Sequence, residues 1–187
     1  MKIIPLHTSQ KSIIKKAIQQ NREAQQSIFD EFSPKMLGVC RQYVKDNHHA
    51  EELMLSGFLK VFTHLHKFKH EGSFEGWIRR IMVNTCLSYL RKKNPIRTTD
   101  EEYVYNDHAT ESLENTSVED IQKLIDQLPE GYKVVFNLYA IEGFKHAEIA
   151  EELGITVSTS KSQLFKARKW LQENYRKMNQ IRSNDGK

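Results

Sequence analysis

Proline and glycine are scarce in this chain, at four and eight among 187 residues. β-Branched residues seldom alternate with polar ones. Both features favour helices over a sheet of short strands and tight turns. Cysteine is scarcer still. Cys40 and Cys86 are the only two, too few for a disulfide framework. Each sits among apolar residues at helical spacing and reads as a buried structural thiol. No apolar run approaches the roughly 20 residues that a membrane span requires. The opening "MKIIPLHTSQKS" has no apolar h-region and no small-residue cleavage site, so a soluble, cytoplasmic protein is expected. Missing too are a G-x-S-x-G elbow, a phosphate-cradling glycine loop and an H-E-x-x-H pair. No catalytic site and no cofactor are expected.

What the chain does have is charge, unevenly placed. The net charge is +4, but eight acidic residues and no Lys or Arg lie between Thr98 and Asp120, so the remainder carries +12. Two basic parts flank an acidic middle, which suggests a polyanionic partner for the basic parts. An apolar fraction of 39% is low for one large core of this length. Two small helical domains fit better.

Periodicity places them. A stripe of Ile13, Ala17, Ala24 and Ile28 opens the first block. Ser33 then reads as an N-cap and Pro34 as the first residue of a new helix carrying Met36, Leu37, Cys40, Tyr43 and Val44. In "HHAEELMLSGFLKVFTHLHKF", Leu53, Gly57, Val61 and Leu65 recur every fourth residue, beside a row of Met54, Phe58 and Phe62. After the loop "KHEGS", "FEGWIRRIMVNTCLSYLRKK" gives a further helix that Asn94-Pro95 ends. Residues 1–95 form this domain. Residues 96–115 are aperiodic, polar and acidic and read as a flexible linker. Its charge matches that of a nucleic-acid strand, which suits it to a basic channel. The second domain, 116–178, starts where Thr116 and Glu119 have capping-box spacing before Ile121, Leu124, Ile125 and Leu128. Three more helices follow, and residues 179–187 read as a disordered tail.

The stretch "HAEIAEELGITVSTSKSQLFKARKWL" carries the clearest chemistry. Ile149, Ala150 and Leu153 are the apolar side of a short helix. Gly154 supplies the left-handed residue that stops it, Ile155 plugs the turn, and Thr156 caps the next helix. There Leu164, Ala167 and Leu171 face inward. Ser160 takes a slot before them, where its hydroxyl can bond back to the carbonyl four residues earlier. The outward face holds Ser158, Lys161, Ser162, Phe165, Lys166 and Lys169. A short helix, a glycine turn and a longer helix with a basic outward half make a helix-turn-helix. Its second helix fits the major groove. A solvated basic face on an ordinary helical hairpin is the plainer alternative.

The first block carries a second signal. Phe68, Phe74 and Trp77 are interleaved with Lys67, Lys69, Arg79 and Arg80, as suits single-stranded nucleic acid, whose bases stack on rings while cations hold phosphates. Trp77 with Ile78, Ile81 and Met82 reads equally as core. His64, His66 and His70 straddle a helix end with no cysteine nearby and no adjacent carboxylate cluster to complete a tetrahedral site, and His48-His49 lies at a helix start. No metal site is expected at either.

Three stretches together, "AEELMLSGFLKVFTHLHKF", "EGSFEGWIRRIMVNTCLSYLRKK" and "LPEGYKVVFNLYAIEGFKHAEIAEELGITVSTSKSQLFKARKWL", resemble the extracytoplasmic-function sigma factors of bacterial RNA polymerase, in the style of the Bacteroidetes members. The resemblance spans about residues 22–178, both domains in order. It implies an all-α protein with a sigma-2 and a sigma-4 domain. Glu51, Glu52, Leu53, Leu55, Ser56, Phe58 and Lys60 would dock on the β′ clamp helices of the polymerase. Phe68, Lys69, His70, Gly72, Ser73, Phe74, Trp77, Arg79, Arg80 and Asn84 would melt the −10 element and hold an unstacked base. Ser158 to Lys169, with Thr159 and Gln163 joining the outward row, would read the −35 element as duplex. Ser56 stands where the family usually has Gln. Ser160 and Gln163 stand where many members have Val and Arg, so the −35 preference need not be the common one. The partners implied are core RNA polymerase (β′ clamp helices and β flap), promoter DNA and a membrane-associated anti-sigma factor.

Two rivals are weaker. A stand-alone regulator of the response-regulator type would need an α/β receiver in the first block, which lacks strand–helix alternation. A nucleic-acid enzyme would need clustered carboxylates or a metal site.

Overall fold

The computed structural model describes residues 6–93 and 118–185. The acidic segment 96–115 and the Thr116 cap lie outside the described residues. The chain divides into two units, Met1–Lys92 and Lys93–Lys187. Every element among the described residues is helical, as the scarcity of glycine, proline and alternation requires. No helix among them is long and apolar enough to cross a membrane.

Among the described residues, the N-terminal unit has four helices: α1 (Leu6–Ile18), α2 (Arg22–Tyr43), α3 (Asn47–His64) and α4 (Phe74–Lys93). The stripe read as one opening helix is two. Gln20 turns left-handed at φ 60°, and Asn21 caps α2 by accepting the Ala24 N–H at 2.9 Å. Ser33 and Pro34 do not start a helix. Pro34 lies inside α2, whose buried row of Ala24, Ile28, Phe32, Met36, Val39, Cys40 and Tyr43 runs past it unbroken. A proline in a helix interior costs about 3 kcal/mol. Seven buried side chains on one face, at roughly 1.5–3 kcal/mol for each large one, outweigh it.

Asp46 caps α3 through the His49 N–H at 2.8 Å. Of the four-residue row read from the sequence, Leu53, Gly57 and Val61 lie on the buried side of α3, and Leu65 is buried in the 3-10 turn that follows it. A Cβ on Gly57 would collide with the Met82 sulfur, so that glycine permits close approach of α4. Cys40 and Cys86 are fully buried free thiols. The neighbouring Cys40 thiol together with burial pushes the Cys86 thiol far above its ordinary range.

The C-terminal unit has α5 (Val118–Gln127), α6 (Glu130–Phe136), α7 (His146–Leu153) and α8 (Val157–Asp185). After α6 the helix changes pitch. Residues 137–141 form a π turn closed by Glu142 N–H donating to the Asn137 carbonyl at 3.0 Å. Leu128, Val135, Leu138, Ile149, Leu164 and Ala167 fill the core. Lys133 is buried with them, its ammonium 2.6 Å from the Asp126 carboxylate. α8 continues to Asp185, so most of the segment read as a disordered tail is helical.

Candidate nucleic-acid interface

The turn between α7 and α8 forms as its residues dictate. Gly154 sits in the left-handed region at φ 67°, ψ 33°, and its N–H returns to the Ala150 carbonyl. Ile155 is buried, and Thr156 Oγ1 accepts the Thr159 N–H at 3.0 Å. The Glu148 carboxylate accepts the Lys145 N–H at 2.7 Å and closes the N-terminus of α7. Both ends of the turn are thus fixed, and the first turns of α8 project in one orientation.

Burial sorts the residues of α8. Ser158, Lys161, Arg168 and Lys169 are exposed, and Ser162, Phe165 and Lys166 are half-exposed. Thr159 and Gln163 are not on this face. Thr159 is buried with its hydroxyl on Thr156 at 2.8 Å. Gln163 is buried against Gly131 at the start of α6. Spacing along a helix did not distinguish these two from their exposed neighbours, because α6 covers that flank.

Ser160 is fully buried, but its hydroxyl does not return to its own helix. It meets His146 Nδ1 at 2.9 Å. The His146 ring also stacks on Tyr139 at 4.7 Å, and Arg168 lies 5.7 Å over the other ring. This cluster ties the π turn, α7 and α8 together. Ser160→Val leaves the imidazole without that partner in a part-buried place. The substitution should cost about 1–3 kcal/mol of stability, read from urea unfolding of the full chain. An unchanged midpoint would mean that water serves His146 as well as the hydroxyl does.

Acidification tests the same cluster. Burial, then the charges of Lys161 and Arg168, hold His146 below the ordinary imidazole range. The unfolded chain titrates this group near ~6.5 and so takes up the proton first as pH falls. The contribution of His146 is complete above about pH 6.5 and declines as pH drops toward the lower folded value. Thermal midpoints of the second unit should fall over that interval, and His146→Gln should flatten the decline.

In the N-terminal unit the residues read for single-stranded DNA part company. Phe68 and Phe74 are buried. Phe74 stands edge-on to Phe32 at 5.6 Å, and Phe68 packs on Phe74 at 5.1 Å. They are core and offer no free ring to a base. Trp77 is half-exposed, 5.5 Å from Phe68. With Asn84 it lines an open groove of about 330 Å³ between α3 and α4. Lys60, His64, Lys67, Ile81, Thr85 and Ser88 complete it. Of these, Lys60 reads from sequence as a polymerase contact. It turns toward α4, its ammonium donating to Thr85 Oγ1 at 3.0 Å.

Lys69, His70, Gly72 and Ser73 are exposed in the loop before α4, and Arg79 and Arg80 are half-exposed and exposed along that helix. His70 and Gly72 are both left-handed, at φ 57° and 91°, which folds the loop tightly. Ser73 opens α4, its hydroxyl accepting the Gly76 N–H at 3.3 Å. No group of three or more His, Cys, Asp or Glu able to hold a metal forms among the described residues.

On α3, Glu51, Glu52, Leu55 and Ser56 are exposed, whereas Leu53 and Phe58 are buried. The sequence reading missed Leu59, which is 70% exposed one turn beyond Leu55 at 54%. Helical spacing from Leu55 was the signal that could have found it.

Residues 28–96 match the family model for Sigma-70 region 2, and residues 118–171 match that for Sigma-70, region 4. The chain is similar to the RNA polymerase sigma-H factor of Pseudomonas aeruginosa, with 29% identity over 73% of this chain and 78% of that protein. It is also similar to the ECF RNA polymerase sigma factor SigW of Bacillus subtilis, with 28% identity over 88% of this chain and 97% of that protein. Among solved structures, it resembles the sigma factor RpoE in complex with the anti-sigma factor NepR from Bartonella quintana. That match has 20% identity, covers 79% of this chain and 94% of that one, and has a TM-score of 0.49.

Proposed function

The chain belongs to the ECF-type RNA polymerase sigma factors, and from that premise we propose that it binds core RNA polymerase and directs it to particular promoters. It reads the −35 element as duplex through α8 and opens the −10 element through the segment from Phe68 to Asn84. It performs no chemistry itself and works in the cytoplasm. Residues 1–95 and 116–178 are its two working domains, joined by the acidic segment 96–115.

The observation that carries this reading is the exposed basic start of α8 behind a turn fixed at Gly154 and Thr156. Ser158, Lys161, Ser162, Phe165, Lys166 and Lys169 are the reading set. Such side chains reach phosphates and base edges once a helix lies in the major groove. Leu55 and Leu59, flanked by Glu51, Glu52 and Ser56, are the face for the polymerase. Two exposed leucines one turn apart suit burial against a protein partner better than they suit water. An anti-sigma factor at the membrane is the expected inhibitor.

Transcription in vitro with core polymerase on a promoter library tests the function directly. Specific transcripts that need both components support it. Duplex binding that is indifferent to core polymerase would instead support a stand-alone regulator. Lys161→Ala and Lys166→Ala should each weaken −35 binding and lower the log–log salt slope by about 0.9 per lost phosphate contact. An unchanged slope in both would remove α8 as the reader.

A further inference from the structure

Helix α1 has had no part in the function so far. It contains Lys11, Lys15 and Lys16 and no Asp or Glu from Leu6 to Ile18. All three lysines are exposed, while Ile14 and Ala17 hold the inner face. None pairs with a carboxylate among the described residues, whereas Lys35 reaches Glu75 at 2.8 Å on the same unit. A lysine in the last turn is favoured by the helix dipole, which accounts for Lys15 and Lys16. It does not account for Lys11, which faces Lys15 at the i, i+4 spacing where like charges repel.

The position of α1 gives these charges a partner. α1 packs on α2 and also on the short 3-10 turn Leu65–Lys67. That turn carries exposed His66 and Lys67 and leads into the loop with exposed Lys69 and His70. Glu71 is the one carboxylate in that loop. α1 therefore adjoins the segment assigned to promoter opening, which carries cations of its own.

We propose that the outer face of α1, through Lys11, Lys15 and Lys16, extends the promoter-opening surface by holding the DNA phosphate backbone beside the opened segment. This rests on the function proposed above. A polyanion is the occupant that the charges select, because a helix with three cations and no anion has nothing to offer a neutral surface.

The test assembles the full chain with core polymerase on a DNA carrying a pre-opened bubble, so that no particular promoter is needed. Lys11, Lys15 and Lys16 are changed together to Ala, and in a second variant to Arg. The alanine variant should lower the salt slope by about 2–3, at about 0.9 per duplex phosphate or 0.7 per single-strand phosphate. The arginine variant should restore it. Thermal midpoints should not move, since all three side chains are exposed. An unchanged slope in the alanine variant overturns the proposal. So does weaker binding to core polymerase with an unchanged slope, because the occupant would then be an acidic protein surface. If the unmodified chain fails to recruit polymerase to the bubble, the function proposed above falls and takes this inference with it. A slope loss confined to the alanine variant sustains both.

Discussion

Asp126→Ala should destabilise the C-terminal unit by about 3–5 kcal/mol, the cost of breaking a buried ion pair from one side. The reason lies in Lys133. Its side chain is only 5% exposed, and its ammonium donates to Asp126 at 2.6 Å. Without the carboxylate, a buried cation is left with nothing to replace its hydration. Stabilities of domains run from about 5 to 15 kcal/mol, so the loss takes a large part of the total. Chemical denaturation should show the second unit unfolding early while the first keeps its midpoint. The Asp126 side chain is 45% exposed, and water reaching that side would bring the loss toward the lower figure. Lys133→Met in the alanine background should recover most of the loss, since a buried pair replaced by apolar groups is often neutral or stabilising. A cost below about 1 kcal/mol for Asp126→Ala would mean that the lysine stem swings its ammonium out to solvent.

Neither partner of that pair was legible in the sequence. Asp126 and Lys133 are seven residues apart, on two helices separated by Pro129, and an i, i+4 search passes over them. What periodicity did reveal was one-helix information. The row through Leu53, Gly57, Val61 and Leu65 needs only the pitch of α3, and the turn at Gly154 and Thr156 needs only local backbone rules. Each was read correctly, and each is buried or capped as the residues require.

The misreadings share a cause. Pro34 and Ser33 carry a strong local start signal, but the buried face of α2 overrides it. Gln20 breaks a helix without glycine or proline to mark it. Phe68 and Phe74 looked like stacking platforms because cations surround them in sequence, whereas Phe32 covers Phe74 from α2. The partner of Ser160 lies 14 residues earlier, beyond any helical period. Tertiary neighbours decide which member of a pattern reaches solvent. The sequence names the pattern only.

That sorting sharpens where an opened promoter strand would be held. With Phe68 and Phe74 in the core, Trp77 is the aromatic of that set left half-exposed, and Asn84 stands one helical face along it in the same groove. Replacing Trp77 by Ala should cut open complex on an active promoter by about 5- to 150-fold, the equivalent of the ~1–3 kcal/mol that stacking on an aromatic contributes per base. Closed complex and polymerase binding should change little, because neither requires an unstacked base. Permanganate reactivity of unpaired thymines reads the opening, and gel shift of the holoenzyme reads the rest. Trp77 also packs on Phe68 and Phe74, so its removal carries some loss of stability. Asn84→Ala separates the two effects. Asn84 is exposed, and its loss should shift preference at one −10 position without moving the thermal midpoint. Ser73→Ala is a poorer probe than the loop position suggests, since it also removes the hydroxyl that opens α4. Normal opening and unaltered base preference in both Trp77→Ala and Asn84→Ala would place the captured base elsewhere, and the groove between α3 and α4 would have no part in melting.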